Sequence, residues 1–465
     1  MIRFAFVSSW RRLGAALIFP VSWGLLASCA SNDEGSRSEP VADGADADVS
    51  DHRSGTDSGS DAEGELESGV LPATDQFGDV SRWRRFDPAA TSEAPFMSAG
   101  AASDGRYVYA ASGRYGPFYY NTKLLRHDPA KGFDNADAWS TFDPASLSID
   151  MIAASVVVDG HFVYFIPGTT QFNTPSRVVL RYDTSVDGPF DAPSAWSSME
   201  VTSVPSWTQF SGALVANGFL YLVPNPRSTL GRPVLGRYDT SKDFADIASW
   251  ETLSLDQISP AINYMSSFSG AVFDGRYITF VPGGDASFVA RYDTTLPLEE
   301  PASWQTFDTM ALSLHARSFS GAVFDGKYLY FAPNSSATTF GTSNYFLRFD
   351  TTGDLADIDS WTMMTVSQVS TFKSYSAGTF DGQYVYFAPG PDNAIALRVD
   401  TRGTFSDPAS WQRFALTSLD TAARSYSGAV FDGTSVYFTP NHLVVGSSIT
   451  GPLLRFQPMV DAGSP

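Results

Sequence analysis

Between Ser318 and Asn334 the chain reads as two apolar arms around a polar break. The first arm, Phe319-Ser-Gly-Ala-Val-Phe324, mixes apolar with very small side chains. The second, Tyr328-Leu-Tyr-Phe331, is apolar at every position and ends at Pro333-Asn334. Two such runs around Asp325-Gly326 predict a β-hairpin. Its predicted turn is a two-residue type I′, with φ > 0 at both central residues. An arm without polar alternation predicts a strand covered on both faces. The small residues of the first arm predict crowding by neighbouring copies, and Pro333 marks the end of the second.

The same pattern returns down the chain. Hairpin signals stand at Asp104-Gly, Asp159-Gly, Asn217-Gly, Asp274-Gly, Asp325-Gly, Asp381-Gly and Asp432-Gly. A third strand follows each, ending in an Arg-centred tag: Arg126-His-Asp, Arg181-Tyr-Asp, Arg237-Tyr-Asp, Arg291-Tyr-Asp, Arg348-Phe-Asp, Arg398-Val-Asp and Arg455-Phe-Gln. A strand opening on tryptophan completes the unit, at Trp83, Trp139, Trp196, Trp250, Trp304, Trp361 and Trp411. Four short strands repeated at this period predict an all-β, seven-bladed β-propeller of four-stranded antiparallel blades. Trp83 precedes the first hairpin and no Trp follows Arg455. The stretch Ser81–Phe86 is therefore expected to supply the outer strand of the last blade, closing the ring and removing its free edges.

The units resemble kelch repeats: Arg-Tyr-Asp, then Trp, then Arg, a Ser/Gly/Ala strand, Asp-Gly and an aromatic strand. Ala316–Phe331 and Ala423–Gly433 show this best, and the resemblance spans nearly all of 80–457. Kelch units end the second strand in Gly-Gly, whereas these end mostly in Pro-Gly or Pro-Asn. The resemblance implies a propeller and leaves its function open.

The ends of the chain add a location. Arg3, Arg11 and Arg12 precede an apolar run, Leu13–Leu26, that Pro20 interrupts, as in an export signal. It ends in Leu26-Ala-Ser-Cys29, which resembles the lipobox of bacterial lipoproteins and implies acylation of Cys29, the only cysteine. Residues 1–28 are read as the signal peptide, and Ala30 implies the outer membrane of a Gram-negative cell, periplasmic or surface-facing. Lipid would be the membrane contact. Residues 29–76 hold thirteen Asp/Glu and two Arg with almost no large apolar side chain. They are expected to be a disordered acidic tether, with the propeller at 77–460. A net charge of −20 without a basic stripe argues against nucleic acid.

Three features could carry binding. At the entry to each inner strand stand Pro95, Asp150, Thr208, Ser266, Arg317, Lys373 and Arg424. The last three form a basic arc that could hold a carboxylate or phosphate, or brace neighbouring blades. The stretch Arg114-Tyr115-Gly-Pro-Phe118-Tyr119-Tyr120 offers rings for a sugar or protein to stack on, or a cover for the channel. The third feature is Asp-Thr-Ser/Thr-x-Asp in the loops between third and fourth strands. It is half of a calcium loop, or a set of turn caps (Asp183 with Asp187, for example). No metal, phosphate-loop or nucleophile motif appears. The expectation is therefore a monomeric binding module without cofactor or metal, not an enzyme, with a glycan or protein ligand. The alternatives are a polysaccharide-active enzyme using loop acids such as Asp150 or Asp285, or an envelope scaffold.

Overall fold

The computed structural model describes residues 76–87, 98–115, 119–120, 122–170, 174–205, 208–225, 232–262, 267–334, 343–372, 374–441 and 451–458. Cys29, the signal segment and the tether up to residue 75 lie outside them.

Seven four-stranded antiparallel sheets run in chain order, each with its strands ordered from inside to outside. Blade 5 is representative: Phe319–Phe324, Tyr328–Pro333, Tyr345–Asp350 and Trp361–Thr365. Its second strand is buried from Leu329 to Pro333, as an arm without polar alternation requires. Inner strands neighbour one another around the whole ring, including the first, Ser98–Ser103, against the last, Tyr426–Phe431. Their small residues are needed there. A Cβ added at Gly321 of blade 5 would stand 2.5 Å from the Ala377 Cβ of blade 6.

The seventh sheet holds Tyr426–Phe431, Val436–Pro440 and Leu453–Phe456, and its fourth strand is Trp83–Phe86 from the other end of the chain. Trp83 lies opposite Phe456 and Phe86 opposite Leu453. The N-terminal strand thus closes the ring as expected.

The tryptophans lock each blade to its neighbours. In all seven, the indole Nε1–H donates to the carbonyl six residues earlier, for example Trp83 to Phe77 at 3.0 Å and Trp411 to Phe405 at 2.9 Å. That earlier residue is Phe133, Phe190, Phe244, Leu298, Leu355, Phe405 or Phe77, and all seven are buried. Where Trp-x-x-Phe occurs, the Phe stacks on the next blade's Trp: Phe414 on Trp83, Phe86 on Trp139, Phe142 on Trp196 and Phe307 on Trp361.

The hairpin turns depart from the predicted geometry. Only Asn217-Gly218 has both residues at positive φ (49° and 80°) between paired ends Ala216 and Phe219. In blade 2, Asp159 pairs with Phe162, so the turn is Gly160-His161. The other five turns span four residues between paired ends, such as Phe324 and Leu329 in blade 5. In blade 5 the Asp325 N–H donates to the Tyr328 carbonyl at 3.2 Å, and only Gly326 takes positive φ. The cause is the aspartate side chain. Asp325 Oδ1 accepts the N–H groups of Lys327 and Tyr328, while Oδ2 accepts the hydroxyl of Tyr330. An Asx cap of this kind, found also at Asp274 of blade 4, outweighs the I′ preference.

Candidate binding site

An up-and-down blade places its connections on two faces. The turns between strands 1 and 2 and the loops between strands 3 and 4 share a hairpin face. The loops between strands 2 and 3, and from each outer strand to the next inner strand, share a loop face. In sequence, the hairpin-face segments together with the aspartates that end the strands flanking them carry twenty-five Asp/Glu against seven Lys/Arg, and the remainder of 77–465 carries twelve against eighteen. The fold therefore sorts charge by face, with the excess negative charge on the hairpin side.

Many of the hairpin-face acids are occupied locally. Asp183, Asp239, Asp293 and Asp350 each accept the N–H and hydroxyl of the Ser or Thr two residues on. Asp407 caps the 3-10 turn Pro408–Ser410 through the Ala409 N–H. The repeated Asp pairs act as turn caps. Burial alone would raise the Asp293 carboxyl, but bonds from Arg276 and Thr295 hold it below the usual carboxylate range.

The third-strand arginines form an inner rank beneath this face. Arg348 lies 4.2 Å from the ring centre of Tyr328 in its own blade and 5.1 Å from Phe405 of the next. Arg126, Arg181 and Arg398 are held in the same way, with Phe190, Phe244 and Phe77 as the partners from the next blade. These arginines brace blades by cation–π contact.

On the loop face, Arg317 and Arg424 stand at equivalent entries to blades 5 and 7, each before a serine in the left-handed region, Ser318 at φ 58° and Ser425 at φ 61°. The Ser318 N–H donates to Ala286 and the Ser425 N–H to Asn393, each in the preceding blade's second-to-third-strand loop. Arg424 Nη2 donates to the Thr421 carbonyl at 3.2 Å, and its shielded Nε has no partner among the described residues. The strained Arg-Ser pair therefore clasps two blades at both places. Lys373, between them in sequence, lies outside the described residues, as does Phe118. Arg114–Tyr115 and Tyr119–Tyr120 pair as a small hairpin on blade 1. Asp150 precedes the inner strand of blade 2 and Asp285 lies in a loop of blade 4, so they belong to different blade junctions.

Two departures from the repeat gain meaning only in the packed ring. In blade 1 the tag reads Arg-His-Asp, and His127 is fully buried against Trp139, with ring centres 4.2 Å apart. Neither ring nitrogen has a partner among the described residues. Burial, reinforced by Arg455, pushes its pKa down to about 4. In blade 4 the second strand carries Thr279 where the other six carry Tyr109, Tyr164, Tyr221, Tyr330, Tyr386 and Tyr437. Aligning the second strands would have revealed it.

No family model matches the chain, and no curated protein matches it. Solved structures similar to it include YCF48 bound to a D1 peptide (TM-score 0.49, 12% identity, 82% of this chain and 98% of that one). YCF48 from Cyanidioschyzon merolae gives a TM-score of 0.48 at 13% identity, covering 81% and 99%. PorZ of Porphyromonas gingivalis, a surface component of the type-IX secretion system, gives 0.45 at 10% identity, covering 83% of this chain and 40% of that one. The chain is an all-β, seven-bladed propeller closed by its N-terminal strand.

Proposed function

We propose that this protein is a non-catalytic binding propeller of kelch-like type, anchored through lipid on Cys29 and spaced from an outer membrane by its acidic tether. Its loop face takes a protein or glycan partner. The observation that supports this most is the sorting of charge. The hairpin face is acidic and its carboxylates largely serve turn caps. The loop face carries the paired strands Arg114–Tyr115 and Tyr119–Tyr120 and the cations at the entries to blades 5 and 7. Fields of this kind steer partners of complementary charge to one side of a molecule.

The test is capture of envelope proteins and glycans by the purified full chain, compared with a variant carrying Tyr115→Ala, Phe118→Ala and Arg424→Ala together. The reading predicts a captured partner that the triple variant loses at least ten-fold. Unchanged capture removes the loop-face assignment. Cys29→Ala is expected to release the protein from the membrane fraction, and continued fractionation with membranes would overturn the anchor.

A further inference from the structure

The seven blade junctions are internal controls for one another, and the junction between blades 4 and 5 combines two departures from the repeat. In blades 1, 5, 6 and 7 the hairpin aspartate Oδ2 accepts a buried tyrosine hydroxyl: Tyr109 to Asp104 at 2.9 Å, Tyr330 to Asp325 at 2.8 Å, Tyr386 to Asp381 and Tyr437 to Asp432, both at 2.7 Å. Blade 4 has Thr279 instead and no hydroxyl at that reach. Arg291 takes the vacant place, donating from Nη2 to Asp274 Oδ2 at 3.1 Å and to the Thr351 carbonyl of blade 5 at 3.0 Å. Blade 5 gives that arginine Phe349 at 5.2 Å, but Leu355 stands where Phe190, Phe244 and Phe405 stand in other blades, as Leu298 does in blade 4. Two positions that are aromatic in most blades, Thr279 and Leu355, thus carry smaller side chains at one junction, while Tyr277 and Phe349 still flank Arg291. The junction holds a cleft of about 350 Å³ on the hairpin face, lined by Asp274, Arg276, Tyr277, Arg291, Thr351 and Thr352 among others.

The lining selects the chemistry. Its charges are already neutralised in pairs: Arg291 with Asp274, both almost fully buried, and Arg276 with Asp293 at 2.6 Å. Asp274 accepts three bonds, from the Arg276 and Tyr277 N–H groups and from Arg291, so it has little left to offer a cation. A free anion meets the most acidic face of the molecule. An apolar ligand finds a predominantly polar wall. Arg276 donates from Nε and Nη2 to Asp293, and the Thr352 hydroxyl donates to Asp350. What they present with the Tyr277 phenol is the remaining Arg276 nitrogen, the Thr352 oxygen as acceptor and the phenol, without net charge. That set suits vicinal hydroxyls, and the volume falls at the small end of ligand sites. We propose that the blade 4/5 cleft is a saccharide subsite that takes one neutral sugar unit. It draws on the reading of the protein as a binder, but it uses the opposite face from the one assigned above.

The test is saturation-transfer NMR on the full chain with glucose, galactose, mannose and N-acetylglucosamine, each alone at millimolar concentration. At least one sugar should give a signal. Thr352→Arg copies Arg402, the residue at the same place in blade 6, and should block the opening and cut the signal at least ten-fold. Thr279→Tyr restores the tyrosine of the other six blades and should displace Arg291 into the cleft, with the same loss and no fall in melting temperature. The signal should survive the loop-face triple variant, so this proposal and the loop-face reading fail separately. No signal from any of the four sugars overturns the subsite, as does a signal unchanged in both Thr352→Arg and Thr279→Tyr.

Discussion

The closing blade and the contiguous blade 6 are built by different routes and reach the same contacts. Blade 6 takes all four strands from one stretch of chain, Tyr375–Ala415. The closing blade borrows its outer strand from a segment some 370 residues away from its partner. Yet Trp83 bonds back to Phe77 as Trp411 does to Phe405. Phe77 also covers Arg398 as Phe405 covers Arg348. The difference teaches that chain continuity is not what stabilises a blade. The inter-blade layer of Trp, the aromatic six residues before it and the stacked Phe does that, and a segment carrying those residues joins wherever the ring offers an edge.

The comparison breaks most severely if the borrowed strand is removed. Deleting residues 77–90 takes out Phe77, Trp83 and Phe86, all buried. Each is worth about 3–5 kcal/mol on truncation, so their sum rivals the whole stability of about 5–15 kcal/mol typical of a domain. Loss of the cooperative thermal transition is expected. A shortened chain that melts like the parent would show the ring does not need closure. Next, Trp83→Ala and Trp411→Ala should each cost about 3–5 kcal/mol and agree within about 1 kcal/mol in urea unfolding. A much smaller cost at Trp83 would make the closing blade an accessory.

His127 sharpens the comparison from another blade. It holds the place filled by Phe456 in the closing blade and Val399 in blade 6, yet its nitrogens are buried without hydrogen-bond partners among the described residues. His127→Phe should stabilise the ring by about 1–3 kcal/mol, the cost of an unsatisfied buried polar group. The pH dependence follows from its lowered pKa. The unfolded chain takes up a proton at this histidine near pH 6.5, whereas the folded ring takes it up only near pH 4. Stability is thus full above about 6.5 and falls as pH drops towards 4. The gap between wild type and His127→Phe should widen over that window, and a gap constant with pH would show that His127 is solvated. The smallest effect is expected at the rim. The exposed ion pair of Arg85 with Asp420 ties the borrowed strand to the loop before its blade. Arg85→Ala should cost no more than about 1 kcal/mol in the same unfolding measurement.

Much of this architecture was legible in the sequence because each blade repeats it. Seven Asn/Asp-Gly, Arg and Trp signals set the blade count, and Trp83 without a hairpin before it revealed the closure. Phe77 was equally visible, six residues before Trp83 as Phe405 is before Trp411, but only once the indole bond explained that offset. The turn type was not legible. It depends on the aspartate Oδ1 capping the N–H groups two and three residues on, as Asp325 does for Lys327 and Tyr328 and Asp274 for Arg276 and Tyr277. The blade 4/5 cleft lay beyond sequence reasoning for a similar reason. Thr279 is a visible departure, but the turn of Arg291 onto Asp274 is the response of a packed junction to a missing ring. On the loop face, Arg317 and Arg424 were found by position, while the left-handed serines that follow them broke no visible pattern.

Hydrogen–deuterium exchange of the intact protein tests the closure most directly. If Trp83–Phe86 is the fourth strand of the last blade, the amides it pairs to Leu453–Phe456 should exchange as slowly as those of Trp411–Ala415 in blade 6. Exchange of Trp83–Phe86 as fast as that of an unpaired terminus, with Trp411–Ala415 protected, would contradict it.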